Sequence, residues 1–185
     1  MKHMRWMLPG LALAALLGNG CIITSTQVFA HFSLSNPFYI HTPPTHDVQV
    51  EHVDLNTISA YKDNKDKLKG LSDIAILGDF KNVGTGPAGA LQVWITPGTT
   101  NLATYAAVTG GATLLWSGSI AAAPSTRHVD WAASNAMFFG PGKTMLINQI
   151  LNGGVFTLYA VAAGNAGQVI QVDKGEVVLV ISAGL

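Results

Sequence analysis

Apolar residues in this chain recur at every second position over short runs, and the runs are bounded by glycine, proline or asparagine. Ile74, Ile76, Gly78 and Phe80 alternate in this way, as do Leu91, Val93 and Ile95, and Leu114, Trp116, Gly118 and Ile120. A period of two puts every second side chain on one face of an extended chain, so these runs are strands with a buried face. Further strands are expected from Gln27 to Leu34, Val48 to Leu55, Val155 to Ala163, Gln168 to Val172 and Glu176 to Ser182, with a short one at Val129 and Trp131. Between Val48 and Leu55 the alternation slips near Glu51 and His52, which predicts a bulge. Asp173-Lys174-Gly175 has the composition of a hairpin connection between the last two strands. Residues 36–46, with Asn36-Pro37 and Pro43-Pro44, and residues 97–113, rich in Thr and Gly, are expected to be loops.

Two segments change period. Ile58, Tyr61, Leu68 and Leu71 fall near one helical face within 57–69, with Asn56 placed to cap the start and Gly70 to end it. Pro141 can open a second helix whose apolar side is Leu146, Ile147, Ile150 and Leu151, stopping at Asn152-Gly153. Many short strands with two helical interruptions predict a single mainly-β domain over 25–185, a two-sheet antiparallel β-sandwich with two short helices. The segment Phe80-Lys81-Asn82-Val83-Gly84-Thr85-Gly86, followed by Leu91-Gln92-Val93-Trp94-Ile95, resembles a strand–turn–strand of immunoglobulin-like bacterial surface domains. The resemblance implies an immunoglobulin-like sandwich, although the Cys pair around a Trp that marks antibody domains is absent.

The N-terminus follows a different grammar. Lys2 and Arg5 precede a short apolar run from Leu8 to Leu17, and small residues follow. This is the pattern of a secretory signal peptide over 1–20, and the run is too short to span a bilayer. The single cysteine, Cys21, stands where the leader ends; alone it cannot form an internal disulfide. Leu16-Leu17-Gly18-Asn19-Gly20-Cys21 resembles a bacterial lipobox, with Gly20 as the small residue before the cysteine and Gly18 and Asn19 in place of the usual Leu and Ala or Ser. The resemblance implies cleavage before Cys21 and a diacylglyceryl group on its thiol, with 21–24 as the lipidated N-terminus. Residue 22 is Ile rather than Asp, so the retention signal known for inner-membrane lipoproteins is missing and the outer membrane is implied. Val28-Phe29-Ala30 is an alternative cleavage site of the ordinary signal-peptidase type.

Charge narrows the partners. Charged residues are 11% of the chain against the ~25% of ordinary soluble domains. Without Lys2 and Arg5, eight basic side chains face ten acidic ones. That balance excludes a phosphate backbone as the expected partner, and leaves a membrane reached through acyl chains together with an envelope protein.

No G-x-S-x-G, H-E-x-x-H, Walker or dinucleotide pattern is present, so no enzyme activity and no cofactor are expected. Asp54, Asp73, Asp79 and Asp130 are scattered acids that only a tertiary structure would pair for hydrolysis. Trp94, Trp116 and Trp131 are candidates for an aromatic platform under a sugar ring, with Trp94 on the strand face opposite Leu91, Val93 and Ile95. Trp94 must then face solvent, or its sheet must be covered on both sides. His31 and His52 are the weak candidates for a metal, since the spacings of His31, His41, His46 and His52 match no standard zinc motif. Asp63-Asn64-Lys65-Asp66 starts like a calcium loop but lacks the central Gly and closing Glu. Three functions remain: an anchored binding or envelope-structural module, a carbohydrate-binding module, and a small extracytoplasmic hydrolase.

Overall fold

A computed structural model describes residues 21–24, 27–34 and 37–184; the expected leader, 1–20, lies outside the described residues. Ten strands run in the order β1 (Cys21–Thr24), β2 (Gln27–Ser33), β3 (Phe38–His41), β4 (Val48–Asp54), β5 (Leu68–Asn82), β6 (Gly89–Pro97), β7 (Thr113–Ile120), β8 (Ser125–Val129), β9 (Val155–Ala163) and β10 (Val169–Ala183). The helices are α1 (Ser59–Asn64), α2 (Tyr105–Gly111), α3 (Trp131–Asn135) and α4 (Gly140–Asn152). Two antiparallel sheets form the expected sandwich. The first has the order β1-β2-β10-β5-β8, with β3 also pairing with β10, and the second β4-β9-β6-β7.

Leaving aside the short β1 and β3, the eight remaining strands pair first with last: β2 with β10, β4 with β9, β5 with β8, and β6 with β7. The chain is therefore one long antiparallel hairpin wrapped over itself, the connectivity of a jelly roll. An immunoglobulin domain keeps its last strand in the sheet opposite its first two. Here β10 lies between β2 and β5 in the first sheet. The Phe80-to-Ile95 segment, which resembles an immunoglobulin-like strand–turn–strand, crosses instead from one sheet (β5) to the other (β6).

The core follows from the alternation. Val28 and Ala30 of β2, Ile74, Ile76 and Phe80 of β5, and Val177, Leu179 and Ile181 of β10 meet Leu91, Val93 and Ile95 of β6 and Phe156 and Leu158 of β9. The slip in β4 is not a bulge, because its register against β9 is unbroken from Val48 to Asp54. Instead β4 has apolar groups on both faces: Val53 enters the main core, while Val48 and Val50 join a second cluster with Val108, Tyr159 and Val161. That cluster lies beneath α2, in a stretch expected to be loop. Thr104 caps α2 by accepting from the Ala107 N–H at 3.2 Å, and fully buried Val108 ties it down.

Three other expectations change. Phe38–His41 lies in the expected loop 36–46 but pairs with Val169–Val172 as β3. The helix expected over 57–69 is shortened to six residues, α1, flanked by tighter 3₁₀ turns at Leu55–Thr57 and Lys65–Lys67; Asp54 rather than Asn56 caps its approach, and Gly70 lies inside β5. The final two strands are one, β10, and Asp173-Lys174-Gly175 forms a bulge within it rather than a hairpin. Lys174 takes a left-handed φ of 52°, opposite Gly78 at φ 149°. The one extra residue shifts the buried phase from Ile170 and Val172 to Val177, Leu179 and Ile181. Glu176 to Ser182 pairs with β2 on one side and β5 on the other, so this apolar stretch is interior to the sheet.

Candidate functional site

The bulge in β10 shapes the outer face of the first sheet. Beside it a groove of about 350 Å³ is lined by Leu77, Asp79, His128, Asp130, Trp131 and Glu176, among others. The elements that place these groups are distant in sequence. Asp79 points outward from β5 because Ile76 and Phe80 point in; His128 comes from β8, which pairs with β5 so that Asp79 lies opposite His128. Their side chains meet, His128 Nδ1 lying 2.7 Å from Asp79 Oδ1. Glu176, just after the bulge, is 3.2 Å from His31 Nε2 on the neighbouring β2.

Trp131 also lines the groove. It opens α3 rather than ending β8, since Asp130 accepts the Ala133 N–H at 2.8 Å and starts the helix there. The indole Nε1 donates to Asp73 Oδ2 at 2.7 Å, which fixes the ring. Just beyond the groove, Lys81 pairs with Asp173, which also accepts from Gln171 Nε2 at 2.8 Å. The hydrogen bonds from Lys81 and Gln171 hold the Asp173 carboxyl below its ordinary range, and the bond to Asp173 raises Lys81. An aromatic ring lining a groove together with carboxylates and an imidazole offers an apolar surface for stacking and acceptors for hydrogen bonds.

The three tryptophans do not form a platform. Trp116 is fully buried in the core, edge-on to Phe80 with ring centroids 5.8 Å apart. Trp94 is on the outer face of the second sheet, as its alternation demanded, but packs into the cluster under α2 and donates Nε1 to Gln92 Oε1 at 3.2 Å. Of its two alternatives, coverage on both sides is the one realised. Of these three, Trp131 is the one that lines the groove beside the β10 bulge.

His31 and His52 do not meet either. β2 and β4 belong to opposite sheets, and His52 bonds Thr157 Oγ1 at 2.9 Å while His31 faces Glu176. Among the described residues no group of three or more His, Cys, Asp or Glu side chains converges as a metal site would. Asp79 and Asp130 both line the groove, Asp73 is tied to it only through its bond from Trp131, and Asp54 lies elsewhere beside Asn56. His128 and Glu176 were missed in the sequence; the outward phase of β5 was readable, but nothing local revealed that β8 and β10 flank it. A second, smaller cavity of about 80 Å³ opens between the sheets beside Phe38, Glu51, Leu158 and Val177.

The connectivity and this face together define the chain as a jelly-roll β-sandwich with a polar groove on its outer sheet. Neither a protein-family model nor a curated protein matches it. A solved structure of Desmodium yellow mottle tymovirus is similar over 96% of this chain and 97% of that one, with 12% identity and a TM-score of 0.25.

Proposed function

We propose that this chain is a lipid-anchored extracytoplasmic binding module, held at the outer membrane through acyl chains on Cys21 and engaging an envelope partner with its folded domain. The observation that carries the anchor is the burial of β2. Val28 and Ala30 are fully buried, and β2 pairs with β10 from Gln27 to Ser33. Cleavage after Ala30 would strip both side chains from the core together with most of that ladder. Cleavage before Cys21 keeps β1 and β2 intact, and β1 pairs with β2 from Cys21 onward. The lipobox-like residues supply the chemistry, and the fold favours the cut they imply over its competitor.

Intact-mass spectrometry of membrane-fractionated protein tests this, with Cys21→Ala as control. A mature chain that starts at Cys21 and carries acyl mass, absent in the variant, supports the anchor. An unmodified chain that starts at His31 overturns it.

A second reading, that the module binds carbohydrate, is favoured by the Trp131 groove rather than by Trp94. Its test is a glycan-binding screen of the folded protein against Trp131→Ala. Binding retained by that variant would remove the groove from the reading.

A further inference from the structure

The basic side chains are unevenly placed. From Cys21 onward there are eight basic and ten acidic side chains. Four of the eight, Lys62, Lys65, Lys67 and Lys69, fall within eight residues and are accompanied by only Asp63 and Asp66, a net of +2. The remainder carries four basic and eight acidic groups, a net of −4. We propose that Lys62, Lys67 and Lys69 dock on anionic phospholipid headgroups and set how the anchored domain stands on its membrane. This rests on the lipid-anchor reading of Cys21.

The fold brings the positive segment to the anchor. α1, which carries Lys62, packs beside β1, whose first residue is Cys21. In register, Leu68 lies level with Ala183 and Gly70 with Ser182; Ser182 is level with Gln27, and Gln27 with Thr24. Cys21 is therefore three residues along β1 from the lysine level, roughly 10 Å along the strand; through its pairing with Ala30 it is also three residues from the Glu176 level, and β2 and β10 lie between β1 and β5. Lys62, Lys67 and Lys69 are exposed, and none forms an ion pair with another described residue. Lys65 differs, because its Nζ donates to Asn56 Oδ1 at 3.1 Å and so serves the fold.

Electrostatics gives the arrangement a direction. An anionic surface attracts the lysine end and repels the acidic remainder, so both forces turn the domain the same way. Each lysine at such a surface strengthens binding roughly fivefold, and the attraction fades within about 8 Å at physiological salt, so only groups close to the headgroups contribute. The polar groove lies at the far end of the same sheet. From Lys69 to Gly78, β5 advances nine residues, roughly 30 Å. Docking by the lysines therefore holds the groove away from the membrane, where a partner can reach it.

The test uses the purified mature protein with vesicles of phosphatidylcholine, alone or mixed with phosphatidylglycerol. Flotation and intact mass report the anchor; lysine acetylation mapped by peptide mass spectrometry reports the docking. The expected result is flotation with both vesicles, and acetylation of Lys62, Lys67 and Lys69 slowed roughly fivefold or more only on phosphatidylglycerol. Lys143 and Lys174 serve as references that stay unchanged, and high salt abolishes the protection. In an unacylated Cys21→Ser chain, flotation with phosphatidylglycerol alone, lost in Lys62→Gln/Lys67→Gln/Lys69→Gln, supports docking independently. Flotation with both vesicles and equal acetylation on both overturns the docking and leaves the anchor standing. Absence of acyl mass with no flotation on either vesicle overturns both.

Discussion

Ser134 is fully buried, and its hydroxyl accepts the backbone N–H of Ile76 at 2.8 Å. β8 pairs with β5 only from Gly78 to Asn82. Upstream of Gly78 the outer edge of β5 is closed by α3, so a side chain completes what a strand does elsewhere. Ser134→Ala leaves the Ile76 N–H buried without a partner and is expected to cost about 1–3 kcal/mol. Urea unfolding of the two proteins measures it; an unchanged midpoint would show that the edge is solvated.

Gly142 permits a close approach of α4 to β7. A Cβ there would lie 2.4 Å from both the Leu114 carbonyl oxygen and Leu115 Cα, and these backbone atoms cannot move aside as a side chain can. Gly142→Ala is expected to destabilise by about 1–3 kcal/mol. Gly140→Ala at the start of the same helix meets nothing within 4 Å and should be tolerated. Thermal melts of the pair separate packing from helix propensity.

Trp116 and Trp131 have different roles. Trp116→Ala empties a fully buried site against Phe80 and is expected to cost about 3–5 kcal/mol. Trp131→Ala removes a half-buried ring and one hydrogen bond to Asp73, with an expected cost of about 1–2 kcal/mol. Denaturant titration ranks them.

The Lys81–Asp173 pair sets limits at both ends of the pH range. Asp173 sits below its ordinary 3.8, so its contribution is complete above that value and is lost as pH falls through the lower folded value. Lys81 is raised above 10.5, so its contribution is complete below 10.5 and is lost as pH climbs through the higher one. Tyr61, raised above 10.0 by burial and then by Asp54, adds to the alkaline loss. A double-mutant cycle with Lys81→Met and Asp173→Asn should show coupling at neutral pH and none in strong acid.

A chain beginning at His31 lacks β1, Val28 and Ala30. It is expected to be insoluble or to melt well below a chain beginning at Cys21. Equal melting temperatures would remove the structural argument against cleavage after Ala30.

Much of the local structure is legible in the residues. β2 and β6 alternate, and α4 has Pro at its start and Gly at its stop. β3 was hidden because its four residues lie between proline-bearing segments, too short for a period to show. α2 was hidden because Tyr105-Ala106-Ala107-Val108-Thr109-Gly110-Gly111 has one fully buried side chain and so no apolar stripe. Asp173-Lys174-Gly175 misled because a bulge and a hairpin turn use the same residues, both needing a left-handed conformation. Of the groove, the outward phase of Asp73 and Asp79 was readable, and the identity of their neighbours was not.

By itself the sequence determined where most of the strands lie and that the product is a two-sheet sandwich, because alternation acts over neighbouring residues. Only the tertiary structure decided that β10 runs between β2 and β5, that Trp116 is core while Trp131 walls a groove, and that His128 meets Asp79. An apolar strand face is equally content against many partners, and the choice among them is made by long-range pairing, bulges and covering helices acting together. No short segment of the chain contains that information.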